Sequence, residues 1–154
     1  MIHYRNQVRT SGVDARSLKR TAIALMEALD ERGSTISLTL INDAGIRALN
    51  RQHRGKDAPT DVLSFPLFEP GEAPGAASPE RMLGDIVISV ETARRQAAGY
   101  DAPLQRELER LLIHGMLHLL GHDHMEPQER ARMEAEERRL ASTIGMPWPY
   151  EDAR

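Results

Sequence analysis

The sequence predicts a single α+β domain spanning residues 1–154, a four-stranded mixed sheet packed with about five helices. Two observations lead there. Four short stretches alternate apolar with polar residues or run continuously apolar, while five longer ones repeat apolar residues at helical spacing. The length, with 40% apolar and 28% charged residues, suits one ordinary core and calls for no second one.

The elements follow in order. Residues 2–8 (IHYRNQV) alternate loosely and predict a first strand. Asp14 can cap a helix whose residues Leu18, Ala22, Leu25, Met26 and Leu29 share one face, with Gly33 as its predicted stop. STISLTLI (34–41) alternates and predicts a half-buried strand, after which Asn42 or Asp43 caps a short helix through AGIRALNRQHR. RGKDAPT is a turn-rich loop. TDVLSFPLF (60–68) reads as a strand that Pro66 confines to an edge or a bulge. EPGEAPGAASPE (69–80), with three prolines and two glycines, reads as a surface excursion. MLGDIVIS (82–89) predicts a well-buried strand interrupted at Gly84 and Asp85. Ser89 can cap a helix over VETARRQAAG, and Pro103 opens another, PLQRELERLLIHGMLHLL. The last, within 126–144, is highly charged with an apolar stripe at Met133, Leu140 and Ile144. The predicted order is β-α-β-α-β-β-α-α-α.

Composition narrows the chemistry. Without cysteine there is no disulfide, no thiolate nucleophile and no Cys-type zinc site, so any metal must be held by His, Asp or Glu. The N-terminus is too polar for a signal peptide and no apolar run is long enough to cross a bilayer. The expected location is therefore the cytoplasm, with no membrane partner. A net charge of -3 does not announce a nucleic-acid binder, although residues 1–60 carry ten Lys/Arg against six Asp/Glu and the remainder ten against seventeen. On charge alone these basic residues read as solvated helix faces.

Chemistry concentrates in residues 114–124, HGMLHLLGHDH, where four of the six histidines fall within an apolar neighbourhood. His114 and His118 lie four residues apart, one helical turn, so their rings share a side and could ligate one ion. Gly121 is suited to end the helix in the left-handed conformation and return His124 as a third ligand. Three nitrogens leave a fourth tetrahedral position open, which points to catalytic zinc on a central buried helix. Three unpaired imidazoles buried there would each cost about 1–3 kcal/mol, a cost that a shared cation removes. His122 follows the glycine directly and is expected to point elsewhere. Asp123 could orient a ligand ring or simply serve the turn. Zinc proteases of this spacing carry glutamate right after the first histidine as general base; here that position is Gly115.

Three segments together, HGMLHLLGHDH, RGKDAPTDVLSFP (54–66) and LGDIVIS (83–89), resemble the bacterial YbeY family of rRNA-maturation endoribonucleases. The resemblance runs in the same order over most of the chain. It implies one zinc ion on His114, His118 and His124, with Arg54 and His114 as catalytic residues. It also implies cleavage of single-stranded RNA in the maturation of the 16S rRNA precursor and in ribosome quality control, alongside the ribosome or small-subunit proteins. Residue chemistry agrees: Arg54 offers a planar fork suited to phosphate, beside a metal that would polarise a water or a phosphoryl oxygen. Arg51 and Lys56 are candidate RNA-backbone contacts, whereas Asp57 and Asp61 are expected to hold the turn. Six aromatic residues (Tyr4, Phe65, Phe68, Tyr100, Trp148, Tyr150) limit any stacking platform. The competing readings are a zinc hydrolase of peptide or amide bonds, weakened by Gly115, and a non-catalytic, zinc-stabilised ribosome-associated factor.

Overall fold

A computed structural model describes residues 1–9, 12–67 and 81–147; the predicted excursion over 69–80 lies outside the described residues, as do Phe68, Trp148 and Tyr150. The elements follow the predicted order: β1 (Ile2–Asn6), α1 (Ala15–Ala28), β2 (Ser34–Ile41), α2 (Asp43–Arg54), β3 (Val62–Pro66), β4 (Arg81–Ser89), α3 (Val90–Gly99), α4 (Leu104–Leu119) and α5 (Pro127–Thr143). One sheet is laid out β1-β2-β4-β3. β1 and β4 both run parallel to β2, while β3 pairs antiparallel with β4. The sheet is therefore mixed, and Pro66 closes β3 on its edge, where a missing N–H costs no ladder bond.

The predicted caps are present. Asp14, Asn42 and Ser89 accept from the backbone N–H of Ser17, Gly45 and Thr92 respectively, which decides for Asn42 over Asp43. Two boundaries differ. β1 ends at Asn6, two residues earlier than expected. α1 ends at Ala28 rather than at Gly33, because Asp30 takes the left-handed conformation (φ 58°) and closes the helix. The N–H groups of Asp30 and Glu31 then donate to Glu27 O and Met26 O. Aspartate tolerates that region better than most side chains, so a glycine was not required.

β4 holds an irregularity beside the edge strand β3. Thr35 pairs with Met82 and Ile36 with Gly84, so Leu83 is an extra residue, a bulge. Gly84 has φ 147°, and a Cβ there would run into the Phe65 carbonyl oxygen and lie 2.9 Å from Leu119 Cδ2. Only glycine lets β3, β4 and the end of α4 converge so closely.

α4 is the central helix. Leu108, Leu111, Leu112, Ile113 and Leu117 are fully buried or nearly so, packed with Leu18 and Leu25 of α1, the inner face of β2 and β4, and Met133 and Leu140 of α5. Along its C-terminal half, His114 and His118 are the residues that remain partly open.

Candidate metal centre and its cleft

Helical spacing delivers the first two ligand candidates. The Nε2 atoms of His114 and His118 face each other at 3.1 Å, with ring centroids 4.6 Å apart. The chain then turns. Gly121 (φ 93°) and His122 donate to His118 O and Leu117 O, the paired bonds of a left-handed helix end. This return brings the His124 ring to 5.8 Å from His114 and 5.4 Å from His118. One ring nitrogen from each of the three lies within 4.8 Å of the others, so the group could hold a metal ion. The predicted turn is thus present, and the histidines it was expected to gather are together.

The donor set fits such an ion. A tetrahedral centre with metal–nitrogen bonds of about 2.0–2.1 Å needs neighbouring nitrogens roughly 3.3 Å apart, close to the 3.1 Å of the His114–His118 pair. Two neutral rings facing nitrogen to nitrogen can share one proton at most, whereas a cation takes a lone pair from each. Burial, and then the neighbouring His114 and His124, depress the His118 pKa to about 4, with Asp123 partly opposing. His118 is therefore neutral at pH 7, the form that ligates.

A residue absent from the sequence expectations completes the centre. Glu137 of α5 places Oε2 3.3 Å from His114 Nδ1, and its side chain is only 12% exposed. A carboxylate on the far nitrogen fixes ring orientation and would turn Nε2 toward an ion held by the three histidines. The signal was present: Glu137 sits between Met133 and Leu140 on the buried stripe of α5. Asp123, the residue weighed for such a role, instead accepts from the His124 backbone N–H at 2.7 Å. His122 lies away from the three-histidine group, beside Glu129 and Arg132.

The histidines open into a cleft of about 810 Å³ that Arg54, His53, Phe65 and Asp123 also line. Arg54 is the last residue of α2 rather than part of the following loop, with Gly55 (φ 71°) turning the chain just beyond it. It is exposed and makes no hydrogen bond or ion pair among the described residues. Arg51 and Lys56 are also exposed but are not among the residues lining this cleft. The intervening loop is pinned. Arg47 grips Asp57 through two bonds of 2.9 and 3.1 Å. Asn50 donates to Ala58 O at 2.8 Å. Asp61 accepts from Val62 N at 2.8 Å and lies 3.9 Å from Arg110, itself paired with the fully buried Glu107. Asp57 and Asp61 thus hold the turn, as the sequence suggested.

Gly115 faces away from this cleft. A Cβ there would lie 2.9 Å from Ile86 Cγ2, and Ser64 Oγ donates to its carbonyl at 3.1 Å. A glutamate at 115 would have to enter the sheet side of α4.

The model of the family described as Endoribonuclease YbeY matches residues 3–145. The chain belongs to the YbeY family. A relative from Anaeromyxobacter sp. (strain Fw109-5), named Endoribonuclease YbeY, is 48% identical over 132 residues, which cover 86% of this chain and 66% of that one. One of the same name from Moorella thermoacetica is 52% identical over 114 residues, covering 72% and 73% respectively. The chain spans just under two thirds of the Anaeromyxobacter protein, and 44% of a Myxococcus xanthus YbeY to which it is 48% identical. Among solved structures, TM1509 from Thermotoga maritima superposes with a TM-score of 0.65 at 26% identity, covering 94% of this chain and 90% of that one. The YbeY match runs from β1 to just past α5 and so includes all three histidines, Arg54 and Glu137. No helix among the described residues is long and apolar enough to cross a membrane.

Proposed function

We propose that this YbeY-family chain, as one metallohydrolase domain over 1–154, is a zinc-dependent endoribonuclease that cuts single-stranded RNA in the cytoplasm. Its substrate is the 16S rRNA precursor, met during 3′-end maturation and quality control together with the ribosome or small-subunit proteins. The observation that carries the reading is the convergence of three ligand-grade histidines and Arg54, unpartnered among the described residues, on one cleft, in a chain of this family. His114, His118 and His124 would hold one zinc ion, which supplies Lewis acidity toward an oxygen at the scissile phosphate. Arg54 binds the phosphate through its planar fork and steadies charge as it grows. Glu137 keeps the His114 ring aimed inward. Arg51 and Lys56, on the exposed flank of the same helix end, contact the RNA backbone farther out.

Metal analysis combined with RNA cleavage tests this on wild type, His114→Ala and Arg54→Ala, each repurified free of nucleases. Wild type should carry one zinc and cut single-stranded but not double-stranded RNA. Arg54→Ala should keep its zinc and lose about 10²–10³-fold in rate, while His114→Ala loses both. Cleavage by rigorously metal-free protein at the wild-type rate would remove the metal from the mechanism. Cleavage of casein with an intact RNA substrate would move the assignment to peptide bonds. Product ends identify the nucleophile: a 5′-phosphate means water, and a 2′,3′-cyclic phosphate means the substrate's own 2′-hydroxyl.

A further inference from the structure

We propose that the cleft contains a subsite for one unpaired nucleobase, with His53 and Phe65 as its stacking wall. The inference rests on the reading of this cleft as an RNA site. His53 and Phe65 both line the cleft that holds the histidine group, and their ring centroids lie 4.9 Å apart with planes at 59°. Their surroundings differ in a useful way. Phe65 is half-buried in β3 and packs against the cluster of Ile41, Ile46, Leu63 and Val87. His53 is exposed on the last turn of α2, directly before Arg54. Met125 lines the same cleft directly after His124 and is 74% exposed, a polarisable side chain beside the ligand group.

Polar and apolar lining are thus separated in the way a nucleotide is. Arg54 and the histidine group suit the phosphate. The flat, non-polar faces beside them suit the base attached to it. Stacking on an aromatic face tolerates any base, because every base has a π-face. A paired base is already stacked on both sides and cannot turn onto such a wall without leaving the duplex. The subsite therefore selects single strands through the base, in addition to anything the backbone path contributes.

The simpler role for His53 is a cover over Phe65, and the choice of substitutions separates the two. The experiment uses zinc-loaded protein, a short single-stranded RNA, and the same RNA with an abasic nucleotide at positions flanking the cut. Binding is read by fluorescence anisotropy, and KM and kcat from cleavage. Removing the base from wild-type substrate, or replacing His53→Ala, should each raise Kd and KM by roughly five- to a hundred-fold. The two losses should not add, kcat should stay within about twofold, and His53→Phe should restore wild-type behaviour. If His53→Leu restores it equally well, covering Phe65 is the function and stacking is refuted. Unchanged KM in His53→Ala, or equal binding of intact and abasic RNA by wild type, also overturns the subsite. If wild type binds RNA in a base- and His53-dependent way but cuts none, the subsite stands while the nuclease assignment fails. Absence of any RNA binding overturns both.

Discussion

Replacing Glu137 by alanine removes the carboxylate whose Oε2 stands 3.3 Å from His114 Nδ1, and the magnitude follows from its surroundings. Partners of this kind, bonded to the far nitrogen of a ligating histidine, typically carry about 10–100-fold in metal affinity, or roughly 1.4–2.8 kcal/mol. The Glu137 side chain is only 12% exposed, so water replaces it poorly and the loss should fall in the upper part of that range. Glu137→Gln keeps an acceptor of the same shape without the charge and should lie between wild type and alanine. Zinc affinity is measured by competition with a chromophoric chelator, and thermal unfolding of the metal-free proteins serves as the control. Glu137 lies on the buried stripe with Met133 and Leu140, so alanine there also removes a desolvated carboxylate, and metal-free stability should change little. Zinc affinities within about threefold of wild type in both variants would refute the orienting role. So would a fall in metal-free stability as large as the fall in binding energy, because Glu137 would then be holding the fold.

Three further perturbations test the frame around the site. Gly84→Ala should destabilise by about 2–6 kcal/mol in urea unfolding, from backbone strain of about 1–3 and overpacking of about 1–3, since φ is 147° and Leu119 and Pro66 stand within 3.0 Å of the new Cβ. Gly115→Ala gains about 1 kcal/mol of helix propensity but sets a methyl 2.9 Å from Ile86 Cγ2, at a cost of about 1–3; no net gain is expected, and a more stable variant would show that Ile86 yields freely. For Asp43, burial opposes ionisation, yet the Ser89 and Thr92 hydroxyls and Arg95 outweigh it and hold its pKa below the usual value. Ionised Asp43 therefore adds stability above the unfolded-state pKa of about 3.9 that is lost as pH falls through the folded value. Asp43→Asn should be less stable than wild type by about 1 kcal/mol at pH 7, with the gap closing below about pH 4; a gap that widens in acid would contradict this sign.

Local signals in the sequence were readable where the controlling atoms are neighbours in the chain. Asp14, Asn42 and Ser89 cap the helices they precede, and His114, Gly121 and His124 meet because helix pitch and one left-handed turn dictate it. Signals failed where two local solutions compete. Asp30 closed α1 in the left-handed conformation before the chain reached Gly33, the expected stop, whereas α2 ran through Arg54 as its sequence suggested and stopped at Gly55. Distant contacts left only indirect traces. Glu137 reaches His114 from 23 residues away on another helix, and its only trace was a carboxylate within an apolar stripe. The interleaved strand order β1-β2-β4-β3 likewise depends on which edges the helices leave open, which periodicity does not encode.

The packing of α4 also decides where chemistry can come from. From Glu107 to Leu119 that helix is buried except at His114 and His118, so it presents a single face to solvent. Gly115 lies one residue, about 100° of rotation, from His114, and that step carries it onto Ile86. In this packing, position 115 therefore offers no general base to the cleft that His114 and His118 line. Any further reactive group must arrive from another segment, and those that line the cleft come from the end of α2, from residues 60–66 and from the turn after α4 that carries Asp123. The bonds from Arg47, Asn50 and Gln96 into residues 57–61 hold the first two of these in a fixed relation. Arg54, at the end of α2, lines the same cleft as the three histidines and brings a cation rather than a carboxylate to it. The close approach of α4 to β4 at Gly115 is thus a packing choice with a chemical consequence: the position that carries glutamate in zinc proteases of this spacing points into the sheet.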